Sequence, residues 1–254
     1  MTERHQRWSV WLGLGFLPLF FLGFAVAGWV PPPGPNMSMS EVQQMFVGGG
    51  TSIGIGLLIL TSGASLLAFL GAAITHQIRR CVGFQSPLGT AQSLAAACLI
   101  LEFIVPQMIW QAARYRPERN PELIQLCFDL GWLMFIGVVS TAMVQMLLLA
   151  VAVLQDPRRQ PLVPRWVAYL SIWAAISVAA GGFCVFVQTG PLTWNGVIGF
   201  WLLATAFFVW IVAISWAMLK ATKRSDDVDQ ALPGWAQNVA PKEAILVSAG
   251  LSSR

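Results

Sequence analysis

The chain has 254 residues, 56% of them hydrophobic and 10% charged, where a soluble domain carries about a quarter charged residues, so a water-soluble globular protein is excluded. The net charge of +4 resides between the apolar runs and reports membrane orientation rather than affinity for nucleic acid. Cys81, Cys98, Cys127 and Cys184 are scattered singly, and His5 and His76 are the only histidines; this pattern argues against a zinc or redox site, a bis-histidine haem or a copper cluster, and no metal or cofactor is expected.

Residues 2–7 form a short basic segment, and residues 8–30 are almost continuously apolar. Arg4, Arg7 and the small-x-small sequence Ala25-Val26-Ala27 have the form of a signal peptide, yet the apolar run is about 20 residues against about 7–15 for such a segment, which favours a retained first span. Pro31-Pro32-Pro33-Gly34-Pro35 then stops the helix, because proline lacks the amide donor and disfavours a helical predecessor. Ser38-x-x-Glu41 and Ser40-x-x-Gln43 are overlapping capping-box patterns, with Val42, Met45 and Phe46 on one face. They predict a short amphipathic helix on the membrane surface. Met37, Met39 and Met45 would be a soft copper-binding set, against which stand their irregular spacing and the lack of a histidine.

Residues 51–75 predict the second span, with Ser52, Gly56, Ala64, Ala68 and Ala72 as a groove of small residues for a neighbouring helix. Gly48-Gly49-Gly50 before it is a flexible entrance and not a phosphate cradle, since no Lys-Ser/Thr follows. His76, Arg79 and Arg80 end the helix. Residues 88–110 and 123–154 predict the third and fourth spans, and Pro106 frees the carbonyl of Glu102 one turn earlier. Asp156-Pro157-Arg158-Arg159 leads to a fifth span at 166–187, bent at Gly181-Gly182, and a sixth at 200–219 is halted by Lys220, Lys223 and Arg224. Residues 221–254 read as a mostly disordered cytoplasmic tail, with Trp235 as a surface contact. The expected architecture is an all-α, polytopic membrane protein of six transmembrane helices plus one interfacial helix, with tryptophans anchoring both interfaces.

Twelve of the fifteen Lys and Arg residues fall on one side of these spans. By the positive-inside rule both termini are cytoplasmic. The three exceptions, Arg114, Arg116 and Arg119, share the loop between the third and fourth spans.

Glu102 lies near the middle of its span, where a carboxylate costs roughly 3 kcal/mol to insert. It is twelve residues before Arg114, about 18 Å below the surface, a depth that matches Ser140 and Thr141 on the returning helix, with Gln145 about a turn deeper. One reading is a protonated carboxylic acid that binds a polar group of an apolar ligand; the other is a hydrogen bond that packs two helices with no ligand at all. The loop Arg114 to Glu122 reads either as a salt-bridged hairpin or as an anion-reading rim in which Arg116 or Arg119, oriented by Asp129, holds a carboxylate, phosphate or headgroup. A binding cavity is expected between the two.

Several segments resemble a group of bacterial, mainly actinobacterial, integral membrane proteins: the proline run with Met37-Ser38-Met39-Ser40-Glu41, Leu101-Glu102-Phe103-Ile104, Arg116-Pro117-Glu118-Arg119-Asn120-Pro121-Glu122, Asp129-Leu130-Gly131-Trp132, Leu154-Gln155-Asp156, Pro164-Arg165-Trp166 and Thr189-Gly190-Pro191-Leu192-Thr193-Trp194-Asn195-Gly196. The resemblance implies a six-helix bundle in a bacterial cytoplasmic membrane and brings no activity, substrate or cofactor. The functions to weigh are binding or transport of a small apolar molecule or lipid, an intramembrane isomerase or cyclase using Glu102 as general acid, and a scaffold subunit of a membrane complex. Asp129 is a poor catalytic partner for Glu102, because rise per residue separates them by about 14–18 Å in depth.

Overall fold

Six apolar runs become six helical stretches long and apolar enough to cross a membrane: Glu3–Ala27, Gly50–Val82, Pro87–Tyr115, Pro121–Leu154, Trp166–Phe186 and Val197–Thr222. The computed structural model describes residues 3–158 and 160–222, and among them there is no strand. The expected all-α polytopic membrane fold is the fold observed. The segment expected to be a cytoplasmic tail, with Lys223, Arg224, Trp235, Lys242 and Arg254, lies outside the described residues, as does Arg159. Crossing six times puts Glu3 and Thr222 on one side, here the terminal face; the other side is the α3 face.

The first span begins at Glu3, earlier than expected, as α1 (Glu3–Leu14) and α2 (Phe16–Ala27). An acidic residue in the opening turn suits the positive end of the helix dipole. The proline run does not end this span. Gly28 does, at φ 71°, where its N–H donates to Ala25 O and the Trp29 N–H to Phe24 O (3.1 and 3.0 Å), a left-handed cap open to glycine at little cost. The cap turns Trp29 back into the core, where it is 2% exposed, before the cis Val30-Pro31 bond begins the proline segment.

The predicted interfacial helix is α3 (Met39–Gly48). Its capping box forms as expected, with Glu41 N donating to Ser38 Oγ and Ser38 N to Glu41 Oε2 (3.4 and 2.7 Å). The overlapping Ser40/Gln43 pattern is not used. Gln43 Nε2 instead donates to Pro117 O (2.9 Å), tying α3 to the loop between the third and fourth spans. Val42 and Phe46 are fully buried, each contributing about 1.5–3 kcal/mol relative to water, and Met45 packs beside them. Gly48-Gly49-Gly50 is a tight corner rather than a loose entrance: α3 ends at Gly48, Gly49 caps Met45 O, and α4 (Gly50–Ser65) starts at once.

After Leu66 the second span continues as α5 (Leu67–Val82). Only part of the predicted small-residue stripe faces a helix. Gly56 meets Gly23 of α2 so closely that a Cβ there would strike the Gly23 carbonyl and Ala27. Ser52, Ala68 and Ala72 are exposed. A four-residue spacing drifts by about 40° per step, so a stripe that faces α2 at Gly56 has wound to the far side by Ala72.

The third span is α6 (Pro87–Tyr115), the fourth is α7 (Pro121–Gly137) and α8 (Ser140–Leu154), and the fifth is α9 (Trp166–Ala179) continued by a 3-10 stretch, Ala180–Phe186. The sixth opens with a π-helical turn, Val197–Leu202, and becomes α10 (Leu203–Thr222). Each span packs on the next in sequence, and α1 packs on α10, so the six close into a ring. At the α3 face the closure is reinforced by Trp194 Nε1, which donates to Pro33 O (3.0 Å).

Aromatic side chains fill the centre of the ring. Trp29, Trp110 and Trp132 pack with centroids 4.8–5.6 Å apart, and Phe135 continues them to Phe103, Phe20 and Phe24. These tryptophans, with Trp194, are core residues and not the interface anchors expected. The anchoring role falls at the terminal face to Trp8, Trp11, Trp166 and Trp216, all well exposed, with Lys220 Nζ 3.6 Å from the Trp216 ring. Leu58, Leu94, Ile176 and Val212 are more than half exposed, apolar surface that a bilayer accommodates and water would not.

Candidate functional site

Glu102 stands on α6, half-buried, one turn before Pro106. Because Pro106 has no N–H, the Glu102 carbonyl lacks its helical donor, so side chain and backbone both place acceptors at this depth. Opposite lies an interruption that hydropathy did not reveal. Val138 is extended (φ −85°, ψ 92°) between α7 and α8, and the first bond of α8 runs from Met143 N to Val139 O (3.1 Å). The amides of Ser140, Thr141 and Ala142 precede that bond and have no partner within their own helix. Thr141, in this first turn, donates its hydroxyl to Glu102 Oε1 at 2.5 Å.

The interruption is matched by its neighbours. Gly182, on the 3-10 stretch, lies against Val139 and the Gly137 carbonyl, and that stretch packs on the π-helical turn of the sixth span. Departures from α-helix in three successive spans thus meet. Irregular backbone at membrane depth persists where it is covered by protein or lines a cavity. Here both occur. A cleft of about 40 Å³ is lined by Glu102 and by Leu99, Phe103, Phe135, Ile136, Val138, Val139, Ala142, Val178, Leu203 and Phe207. Its only ionisable lining residue is Glu102, and among the apolar lining residues Val138 is 41% exposed. The volume suits one small polar group, far below the roughly 300 Å³ of a pocket that encloses a whole ligand.

No protein-family model, curated protein or solved structure matches the chain.

The other residues expected around Glu102 separate. Ser140 is exposed and makes no hydrogen bond among the described residues, because its place in the interruption turns it outwards. Gln145 is buried at the depth expected, but one turn below Thr141 it meets Gln92, whose Nε2 donates to Gln145 Oε1 (2.9 Å). Gln92 belongs to the site and was not anticipated. The rule that singled out Glu102, a costly polar group within an apolar run, applies equally to Gln92 and to Gln107, which accepts from Thr61 Oγ1 (2.7 Å).

The arginine loop is neither a salt-bridged hairpin nor a collar over the cleft. Among the described residues no ion pair joins Arg114, Arg116 or Arg119 to Glu118, Glu122 or Asp129. Arg114 lies across Gly54 and donates to Gly50 O and Gln111 Oε1 (3.0 and 2.9 Å), stitching the third span to the second. Arg116 and Arg119 are exposed, and Asp129 is half-buried on α7 without a hydrogen bond among the described residues. The space expected to hold a cavity, between loop and carboxyl, is the aromatic core. A larger hollow, about 480 Å³, opens instead at the α3 face, where Asn36, Thr189, Thr193 and Asn195 make a shallow uncharged dish.

Proposed function

We propose that the protein binds a small, largely apolar molecule or lipid within the bilayer, taking the ligand's one polar group at Glu102 while its apolar remainder lies along the lipid-facing groove beside Val138. The observation that carries this reading is the Glu102–Thr141 pair at a helix interruption, lining a cleft too small for a whole ligand and otherwise apolar. A structural hydrogen bond alone accounts for the pair but not for its placement at three irregular helix segments. Thr141 occupies Oε1, so a protonated Glu102 has Oε2 as its donor, and the favoured ligand group is an acceptor such as a carbonyl or ether oxygen. Binding is preferred to acid–base catalysis because the cleft lining offers no second ionisable group. The distribution of Lys and Arg supports a terminal face on the cytoplasmic side, and the resemblance noted above supports a bacterial cytoplasmic membrane.

The test is native mass spectrometry and lipid extraction of protein purified in mild detergent, wild type against Glu102→Gln. An apolar compound retained by the wild type and lost from the variant is expected; identical contents would leave the pair a packing contact. A cysteine introduced at Asn120 is expected to react from outside intact cells, and labelling from the cytoplasm alone would overturn the orientation.

A further inference from the structure

Between Arg7 and Glu41, and again between Arg165 and Lys220, the sequence holds no Asp, Glu, Lys, Arg or His. These two charge-free stretches meet at the α3 face. The Trp194 indole bonds to the Pro33 carbonyl, and the Asn195 carboxamide lies against Gly34, where a Cβ would come within 2.9 Å of Asn195 Nδ2. The dish of about 480 Å³ opens at this junction, lined by Asn36 from the first stretch and by Thr189, Asn195 and Val197 from the second. Its volume falls within the roughly 300–1,000 Å³ of ligand clefts. It shares no lining residue with the Glu102 cleft.

Both walls are held by the chain itself. Gly190, at φ 92°, reverses the backbone after the fifth span. Thr193 N and Oγ1 donate to Gly190 O (3.4 and 3.0 Å), Gly196 N donates to Thr193 O (2.8 Å), and Ile198 N and Gly199 N share Pro191 O (2.8 and 3.1 Å). Opposite, the prolines before Asn36 fix their own φ angles. The polar groups that this scaffold does not use line the dish. The Asn36 carboxamide and the Thr189 hydroxyl make no hydrogen bond among the described residues. Asn195 has Thr193 Oγ1 at 2.9 Å from one end of its carboxamide and keeps the other end. Turning that carboxamide over exchanges a spare donor for a spare acceptor and still leaves one group unbonded.

We propose that this dish binds an uncharged, hydroxyl-rich group, a sugar ring or similar polyol. Two carboxamides and a hydroxyl offer donors and acceptors together, which suits neighbouring hydroxyls that each donate and accept. A phosphate or an ammonium would find no counter-ion in the lining, and a wholly apolar ligand would strip water from the carboxamides without replacing their bonds. Val197, which lines the dish and opens the sixth span, is 69% exposed apolar surface. It gives the chains of a glycosylated lipid a place beside the ring, so the headgroup of such a lipid is favoured over a free sugar.

The test uses the full chain in phosphatidylcholine nanodiscs and counts bound lipid by native mass spectrometry. The probes are glucosyl and galactosyl diacylglycerol, with diacylglycerol and phosphatidylglycerol of the same chains for comparison. Methyl glucoside in water is followed in parallel by saturation-transfer NMR. At least one glycosyl lipid is expected to be retained about tenfold better than diacylglycerol or phosphatidylglycerol. Asn36→Ala and Thr189→Val alter exposed side chains that bond nothing in the fold, and each is expected to weaken retention about fivefold. Gln188→Ala, at an exposed neighbour that does not line the dish, is expected to bind as the wild type does. Methyl glucoside binding that falls in the same two variants, without preference among the lipids, supports the site and makes a free sugar its source. Absence of both a glycosyl preference and a methyl glucoside signal overturns the proposal. So does tighter retention of phosphatidylglycerol, or undiminished binding when Asn36→Ala and Thr189→Val are combined.

Discussion

Thr141→Val removes one hydroxyl and almost no volume, and so isolates the bond on which the candidate site depends. Hydrogen bonds between membrane helices contribute about 0.6 kcal/mol on average and at most about 1.7. A 2.5 Å contact to the side chain of Glu102, which has no other hydrogen-bond partner among the described residues, belongs in the upper half of that range. The expected cost is therefore about 1 kcal/mol, a fivefold change in the unfolding equilibrium. Ser140→Ala, one residue away and making no bond, is the matched control and is expected to stay within about 0.5 kcal/mol of wild type. The assay is reversible unfolding by sodium dodecyl sulfate in bicelles. Adding Glu102→Gln and the double variant closes a cycle whose coupling energy is expected to be about 1 kcal/mol. Equal effects of Thr141→Val and Ser140→Ala, or simple additivity with Glu102→Gln, would refute the argument that the pair acts as a unit.

Gly56→Ala drives a methyl group into the Gly23 carbonyl and is expected to cost about 1–3 kcal/mol in the same unfolding assay, with Gly23→Ala non-additive because both force apart one crossing. Asp156 is 1% exposed and accepts from Arg158 N, Arg158 Nη1 and Leu162 N (3.2, 3.0 and 3.1 Å), so Asp156→Ala is expected to cost about 3–5 kcal/mol and Asp156→Asn, which keeps one acceptor, clearly less. The bonds from Ser38 hold the Glu41 carboxyl below the usual glutamate range. The stability it lends α3 is thus complete above that range and lost as pH falls through the lower value of the folded chain, which amide exchange at Glu41 and Val42 will register as loss of protection on acidification while Glu41→Gln shows no such step.

Depth counting found Thr141 from Glu102 because rise per residue is nearly constant in two antiparallel helices. The same counting misassigned Gln145, whose depth was right but whose partner one turn lower is Gln92, and it could not see that Ser140 turns away. The interruption that turns it is marked in the sequence only by Gly137, which a membrane helix tolerates, and the departure of Val138 and Val139 from the helix reflects packing against Gly182 and the 3-10 stretch, a tertiary contact. Capping chemistry was legible at Ser38 and Glu41, where donor and acceptor lie three residues apart. At Gly28 the cap has no such paired signal, and the more conspicuous prolines mark a boundary too late in the chain. Tryptophan preference for interfaces misled for Trp29, Trp110 and Trp132, since composition does not distinguish a ring at a headgroup from one inside a bundle.

The bond from Trp194 to the Pro33 carbonyl has a consequence for how the protein is made. Its partners are 161 residues apart, and Phe16 of the first helix packs on Phe207 of the sixth at 6.4 Å. The first span therefore leaves the ribosome well before the sixth and waits for it to complete its set of neighbours. Until the final hairpin arrives, its Phe16 lacks that aromatic partner and the proline segment has no indole to hold it. Ring closure is thus a late event in biogenesis, and truncation after the fifth span is expected to leave the first span held on the second by the Gly23–Gly56 crossing while its face towards the sixth stays uncovered.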